Sequence, residues 1–317
     1  DVLKKDHRKS NYETYLTEIG ILITEIDLFL KNIDNWAKPK KVKSSLLSFP
    51  SSDYVYSEPY GKILIISPWN YPFQLAILPT MSAVAAGNTV VLKPSEHAPH
   101  TSKLIKYIIE KVFEKSHVLV IEGAAETASK LLEYRWDYIF FTGSVRIGKI
   151  VAAAAAKTLT PITLELGGKN PCIIDDTIDL KLAARRIVWG KFVNAGQTCI
   201  APDFLIVKNN IKDKLIGELL SEIKRAYGEN PENSEDYPRI VNKTNLSRLS
   251  NLIEGTNIVY GGKYNIDTCY FSPTIIDEPK IESPLMAEEI FGPILPIISY
   301  DNENKIEKLI LKYEKPL

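Results

Sequence analysis

From Lys62 onward, short apolar runs alternate with segments whose apolar residues recur at helical spacing, and this alternation limits the fold more than any other feature. The runs at residues 63–66, 89–92, 118–121 and 138–141 are separated by helical patterns at 74–86, 101–114 and 126–133. Such a succession predicts a parallel sheet wound with helices on both faces, with ligands bound beyond the carboxyl ends of its strands. A second series follows: apolar runs at 162–166, 171–174 and 204–207, and helices at 180–194 and 212–227. The adjacent Gly167 and Gly168 after a strand permit a sharp redirection, so two domains are expected, residues 1–165 and 166–317. With 317 residues, 45% of them hydrophobic, the chain is long enough for both.

Ahead of the alternation, Tyr15, Ile19, Leu22, Ile23, Ile26 and Leu30 predict one long amphipathic helix over residues 13–36. The basic, serine-rich stretch 38–52 reads as a surface loop, and the alanine run 152–156 as a tightly packed helix. Lysine plus arginine equal aspartate plus glutamate at 39 each, which removes any global field toward nucleic acid or an anionic membrane. Cys172, Cys199 and Cys269 form no CxxC pair and lie near no histidine at metal-ligand spacing, so a reducing, cytoplasmic setting and no metal are expected. No secretory leader is visible, and the longest apolar stretches fall short of the roughly 20 residues that cross a bilayer. A chain that starts without methionine and stops at Leu317, just after a helical pattern, reads as a fragment or a partly ordered chain.

Several segments offer chemistry. Cys199 follows small and polar residues just after a helix, which places its thiol in a turn where it can be exposed and activated; the competing reading is a buried cysteine packed as a small hydrophobe. A cysteine-histidine hydrolase is disfavoured, because His7, His97, His100 and His117 all lie upstream and none sits in a catalytic motif. Glu165 ends an apolar run beside flexible backbone, where desolvation would raise its pKa and suit it to be a general base; an ordinary strand-end carboxylate is the alternative. Residues 143–149 follow a strand and open a helix, a place where phosphate meets free N–H groups. They nearly match a nucleoside-triphosphate-binding P-loop, but Ile150 stands where serine or threonine would hold magnesium. A strand ending at Asp175 keeps that triphosphatase reading open, and the GxGxxG fingerprint is absent.

Taken in order, Pro68-Trp69-Asn70-Tyr71-Pro72, Lys93-Pro94-Ser95-Glu96, Phe141-Thr142-Gly143-Ser144, Leu164-Glu165-Leu166-Gly167-Gly168-Lys169, Gly196-Gln197-Thr198-Cys199 and Glu288-Glu289-Ile290-Phe291-Gly292-Pro293 resemble the motifs of the aldehyde dehydrogenase superfamily. The wording around Leu159-Thr160-Pro161 and Trp189-Gly190-Lys191-Phe192 looks most like the class 3 or fatty-aldehyde branch. The resemblance implies an α/β fold with a Rossmann-type cofactor domain and an α/β catalytic domain, whose C-terminal part lies beyond Leu317. It implies NAD(P)-dependent oxidation of an aldehyde, medium or long aliphatic or aromatic, to the carboxylic acid. Cys199 would be the nucleophile, Asn70 with the Cys199 N–H the oxyanion hole and Glu165 the base that activates water. Lys93 and Glu96 would hold the adenosine ribose, Ser144 with Gly143 and Gly148 the pyrophosphate, and Glu289 the nicotinamide ribose, with Phe291 and Trp69 close by. A carboxylate at Glu96 favours NAD over NADP. The resemblance further implies a homodimer. A CoA-acylating dehydrogenase, the P-loop triphosphatase and a non-catalytic scaffold are the alternatives.

Overall fold

A computed structural model describes residues 1–313 and 316–317. Helix α1 (Val2–His7) ends at Arg8, whose left-handed backbone turns the chain into α2 (Asn11–Thr14). A π-helical turn, Tyr15–Ile19, joins α2 to α3 (Gly20–Trp36) without a break, so the long helix expected over 13–36 is present. Its burial differs from the apolar pattern: of the six apolar positions, only Leu22 is buried, while Tyr15, Ile23 and Leu30 are exposed. Besides Leu22, the residues that this helix buries are Glu13 and Glu18. The stretch read as a surface loop is exposed, but it contains β1 (Lys40–Val42), which pairs antiparallel with β2 (Asp53–Val55).

The alternation that follows builds a parallel sheet. It consists of β3 (Lys62–Ile66), β4 (Thr89–Lys93), β5 (Val118–Val120), β6 (Tyr138–Thr142) and β7 (Ile162–Glu165), in the order β5-β4-β3-β6-β7. Between these strands run α4 (Gln74–Ala85), α5 (Pro99–Val112), α6 (Ala125–Leu131) and α7 (Val145–Ala156), the last carrying the alanine run. Strand β3 shows why its sequence is apolar without interruption. Ile63 and Ile65 pack with Ala76 of α4 and Ile105 of α5 on one face, and Leu64 and Ile66 pack with Val151 and Ala155 of α7 on the other. The connection from β3 passes to one side and that from β6 to the other, so the order reverses between these two strands. In open α/β sheets that crevice is where ligands bind.

A second sheet is built from β8 (Pro171–Ile174), β9 (Phe204–Lys208), β10 (Ile258–Tyr260), β13 (Thr274–Asp277) and β14 (Ile294–Tyr300), in the order β10-β13-β14-β9-β8. All neighbours are parallel except β10 with β13. A small hairpin, β11 (Tyr264–Asn265) with β12 (Tyr270–Phe271), stands apart. Helices α8 (Leu180–Phe192) and α9 (Lys212–Tyr227) cover one face of the second sheet through Leu205, Val207, Leu295 and Ile297. The remaining helices are α10 (Lys243–Leu252), the short α11 (Pro284–Ala287) and α12 (Glu303–Leu311), of which α12 packs on the opposite face against Phe204 and Ile298. Among the described residues no helix is long and apolar enough to cross a membrane, and no group of His, Cys, Asp and Glu is arranged to hold a metal ion.

Candidate active site

The carboxyl ends of β3, β4, β6 and β7 open on one cleft of about 1840 Å³, lined among others by Asn70, Lys93, Ser144, Glu165, Cys199 and Glu289. These residues come from segments far apart in sequence, and the parallel sheet is what brings them together. Strand β3 ends at Ile66, and the turn that follows carries Trp69 and the buried Asn70 into the first turn of α4. The Asn70 amide donates to Gln197 O at 3.1 Å, which ties the turn to the segment holding the thiol.

That segment is unusual. After α8 the backbone of Asn194 (φ 53°), Ala195 (φ 51°) and Gly196 (φ 72°) is left-handed, a conformation that costs energy for the first two and survives only where the surroundings fix it. The fixing groups are visible. Asn194 donates its backbone N–H to Glu13 Oε1 (2.9 Å) and its amide to Asn70 O (2.8 Å) and Gln197 O (3.1 Å). Gly196 packs so closely on the Gly292 carbonyl that no side chain fits between them. Cys199 emerges from this turn half-buried; Asn170 holds its carbonyl at 2.6 Å, and the neighbouring Thr198 hydroxyl meets the Tyr71 hydroxyl at 2.6 Å. Burial pushes the Cys199 thiol above its ordinary value, the charge of Glu289 adds to this, and the N–H groups of Ile200 and Cys199 oppose it.

Glu165 does not lie in the desolvated pocket that its apolar neighbours suggested. It sits at the end of β7, the edge strand among the described residues, with its side chain exposed toward the open cleft. Across the cleft the Glu289 carboxyl is raised to about 7, by burial first and by the nearby charge of Asp203 second. Its carboxylate fills the space beside Gly167 where any side chain would stand. The loop that carries it is anchored from below: Lys169 forms a buried ion pair with Asp203 and donates to Leu285 O and Glu288 O, while Asp203 accepts from the Ile290 N–H at 2.8 Å. Phe291, at φ 49°, turns its ring edge-on to Trp69 with centroids 5.4 Å apart.

On the opposite side of the cleft, Lys93 at the end of β4 meets Glu96 at 2.6 Å. Burial alone would raise the Glu96 carboxyl, yet the hydrogen bond and charge of Lys93 outweigh it and hold the group below its ordinary value. Ser144 caps α7, its hydroxyl accepting from Ile147 N at 3.4 Å. Gly148 is not among the cleft-lining residues; it faces Leu166, whose Cδ2 lies 2.8 Å from where a β-carbon would stand, so its small size lets α7 approach the sheet. The residues present suit a dinucleotide: a carboxylate-ammonium pair for ribose hydroxyls, a capped helix N-terminus for phosphate, and a cleft larger than the roughly 300–1,000 Å³ of small-ligand pockets.

The chain that builds this cleft matches a known family along almost its whole length: residues 2–310 fit the model of the aldehyde dehydrogenase family. The chain belongs to the aldehyde dehydrogenase family. It is 45% identical over 319 residues to 4,4'-diaponeurosporen-aldehyde dehydrogenase of Staphylococcus aureus, covering all of this chain and 70% of that protein. To aldehyde dehydrogenase family 3 member B2 of Mus musculus it is 44% identical, covering all of this chain and 66% of the relative. A solved structure titled the substrate-bound state of Staphylococcus aureus AldH superposes with a TM-score of 0.97 at 45% identity, over all of this chain and 69% of that one. The chain thus spans about two thirds of the length of these relatives. Membership of this α/β fold, with its parallel sheets, displaces the P-loop reading of residues 143–149.

Reading the sequence alone missed the supports of the cleft. Lys9, Glu13, Glu18, Asn170, Asn194 and Asp203 are all partly or fully buried polar groups whose partners lie far along the chain. No local pattern marks them.

Proposed function

We propose that this protein oxidises an aldehyde to the carboxylic acid with NAD(P), through an acyl group held on Cys199. The observation that carries this reading is the convergence of Cys199, Asn70 and Glu165 on one cleft whose far wall carries Lys93 and Glu96. Domain roles follow: residues 1–165 hold the cofactor and residues 166–317 supply the nucleophile. The apolar cleft residues Tyr60, Leu75, Leu78 and Phe140 support a medium or long aliphatic or an aromatic aldehyde.

In this reading the Cys199 thiolate adds to the carbonyl carbon, forming a C–S bond and leaving negative charge on oxygen. The Asn70 amide and the Cys199 N–H donate to that oxygen, and one such donor is worth roughly 3 kcal/mol in comparable sites. When bound, NAD(P) would supply the hydride acceptor, so that the C–H bond of that carbon can break, its C=O re-form and the acyl group remain on Cys199. The chain holds the cofactor through Lys93 and Glu96 at the adenosine ribose, Ser144 and Gly143 at the pyrophosphate, and Glu289 at the second ribose, with Trp69 and Phe291 closing the reacting end. Gly148 serves the pyrophosphate indirectly, by seating α7. Glu165 then takes a proton from water as it attacks the acyl carbon, the C–S bond breaks and the Cys199 thiolate is released. A water-activating carboxylate argues for hydrolysis rather than transfer to CoA. The value of about 7 at Glu289 favours a second reading in which that residue takes the proton instead.

The carboxylate of Glu96 favours NAD, although a mouse relative, 42% identical, is named dimeric and NADP-preferring. A homodimer is proposed on the same grounds, and the three free cysteines fit a cytoplasmic setting. The test uses the complete protein with a panel of aldehydes and both cofactors, following cofactor reduction. Cys199→Ala is expected to abolish turnover, and unchanged turnover in that variant would end the proposal. Glu165→Gln is expected to release one burst of reduced cofactor and then stall, whereas stalling in Glu289→Gln and not in Glu165→Gln would select the second reading.

A further inference from the structure

The turn that presents Asn70 is gripped at both ends by one buried ion pair from the N-terminal segment. Lys9 and Glu18 are fully buried, with Lys9 Nζ 2.7 Å from Glu18 Oε1. The ammonium donates at 3.2 Å to the carbonyl oxygen of Asn70 and lies 4.4 Å from the centre of the Tyr71 ring. The second carboxylate oxygen, Glu18 Oε2, accepts from Phe73 N (2.8 Å) and Gln74 N (3.3 Å), the first N–H groups of α4. Lysine therefore fixes the peptide leaving residue 70 and glutamate fixes the backbone just beyond it. Glu18 reaches this position from the π-helical turn Tyr15–Ile19, an irregularity that rotates it out of the α-helical register of α3.

We propose that Lys9 and Glu18 are positioning residues for the oxyanion-binding amide of Asn70, an inference that rests on the function proposed above. Desolvating two ions is expensive, and a well-packed apolar pair fills such a space at least as stably in many proteins, so bulk stability does not account for charges here. Geometry does. The Asn70 carbonyl has two acceptor directions, one taken by Lys9 Nζ and the other by Asn194 Nδ2 at 2.8 Å. With that oxygen held on both sides, the peptide plane cannot rotate, and the side-chain amide attached to the same residue keeps one N–H on Gln197 O and leaves the other free for the cleft. Tyr71, under the ammonium, hydrogen-bonds Thr198 beside the nucleophile, so the same pair sets the amide against the thiol.

The test compares the complete wild-type protein, Lys9→Met/Glu18→Gln, Asn70→Ala and the triple variant, each normalised to Cys199 sites titrated by alkylation. The double variant removes both charges of the pair together. It is expected to lower kcat per titrated site about 10- to 100-fold, the range for a catalytic donor displaced by about 1 Å, with KM for the cofactor changed less than about threefold. In the Asn70→Ala background the same two changes should remove less than about twofold more. A purely structural pair would reduce the number of titratable sites and leave kcat per site intact, which overturns the inference, as does an equal loss with and without Asn70. If the double variant yields no titratable sites, Glu18→Gln alone is read the same way, since its remaining amide oxygen still accepts from Lys9 while the α4 N–H groups lose their carboxylate. A wild-type protein that oxidises no aldehyde, or an Asn70→Ala variant with full kcat, sinks the proposed function and this inference together. Crippled Asn70→Ala beside unimpaired Lys9→Met/Glu18→Gln sinks this inference alone.

Discussion

Glu13 is the support of the Cys199-bearing turn whose ionisation is most exposed to experiment. Its carboxyl is buried and raised to about 7 from an ordinary 4.5, by burial first, while Lys9 and the Asn194 N–H oppose the shift. Between those two pH values the folded chain keeps a proton that the unfolded chain has released. Stability therefore falls as pH rises from about 4.5 to about 7 and stays lower above that. At about 1.4 kcal/mol per pKa step, the full loss is ~3 kcal/mol. Glu13→Gln imitates the protonated carboxyl and still offers an oxygen to Asn194 N, so the variant should lie within about 1 kcal/mol of the wild type near pH 5 and exceed it at pH 8 by ~3 kcal/mol. For a chain of this length that corresponds to a rise of about 5 °C in Tm. Thermal melts at a series of pH values decide the matter. Melting curves of the two proteins that run parallel from pH 5 to pH 8 would refute the reasoning, because they would mean that Glu13 ionises in the folded state without penalty.

Other expectations follow from contacts around the cleft. Gly167→Ala puts a methyl group where the Glu289 carboxylate now lies, so KM for the cofactor should rise about tenfold while Tm changes little, as cofactor titration and melting would show. Gly196→Ala combines a left-handed backbone with overlap on the Gly292 carbonyl; a loss of about 2 kcal/mol or more in stability is expected in denaturant unfolding, with few Cys199 sites left to titrate. Glu96→Gln removes the charge that repels a 2′-phosphate and should shift kcat/KM toward NADP by about tenfold, measured as the ratio of the two cofactors.

Much of the fold is legible in the sequence because it rests on local periodicity. Strand β3 is an unbroken Ile-Leu-Ile-Ile run with helices to either side, and that pattern alone leads to a doubly covered parallel sheet. The amphipathic N-terminal helix shows the limit of the same argument. Tyr15, Ile23 and Leu30 recur at helical spacing and are nonetheless exposed, while Glu13 and Glu18 are the buried groups, because burial depends on what stands opposite and not on the helix itself. Strand β1, which pairs with β2, was hidden in a stretch whose serines and lysines resemble a loop.

Composition, periodicity and motif wording by themselves determined that the chain is an α/β protein of parallel sheets, placed Cys199 and Asn70 in turns, and put Glu165 at a strand end, since each of these facts is written within a few neighbouring residues. Only the tertiary structure decided the electrostatics: that Glu165 stands exposed, that Glu289 carries the raised pKa, and that Lys9, Glu13 and Glu18 hold the turns bearing Asn70 and Cys199. The reason is physical. A buried charge is defined by desolvation and by partners up to 181 residues away, and neither quantity exists until the chain has folded.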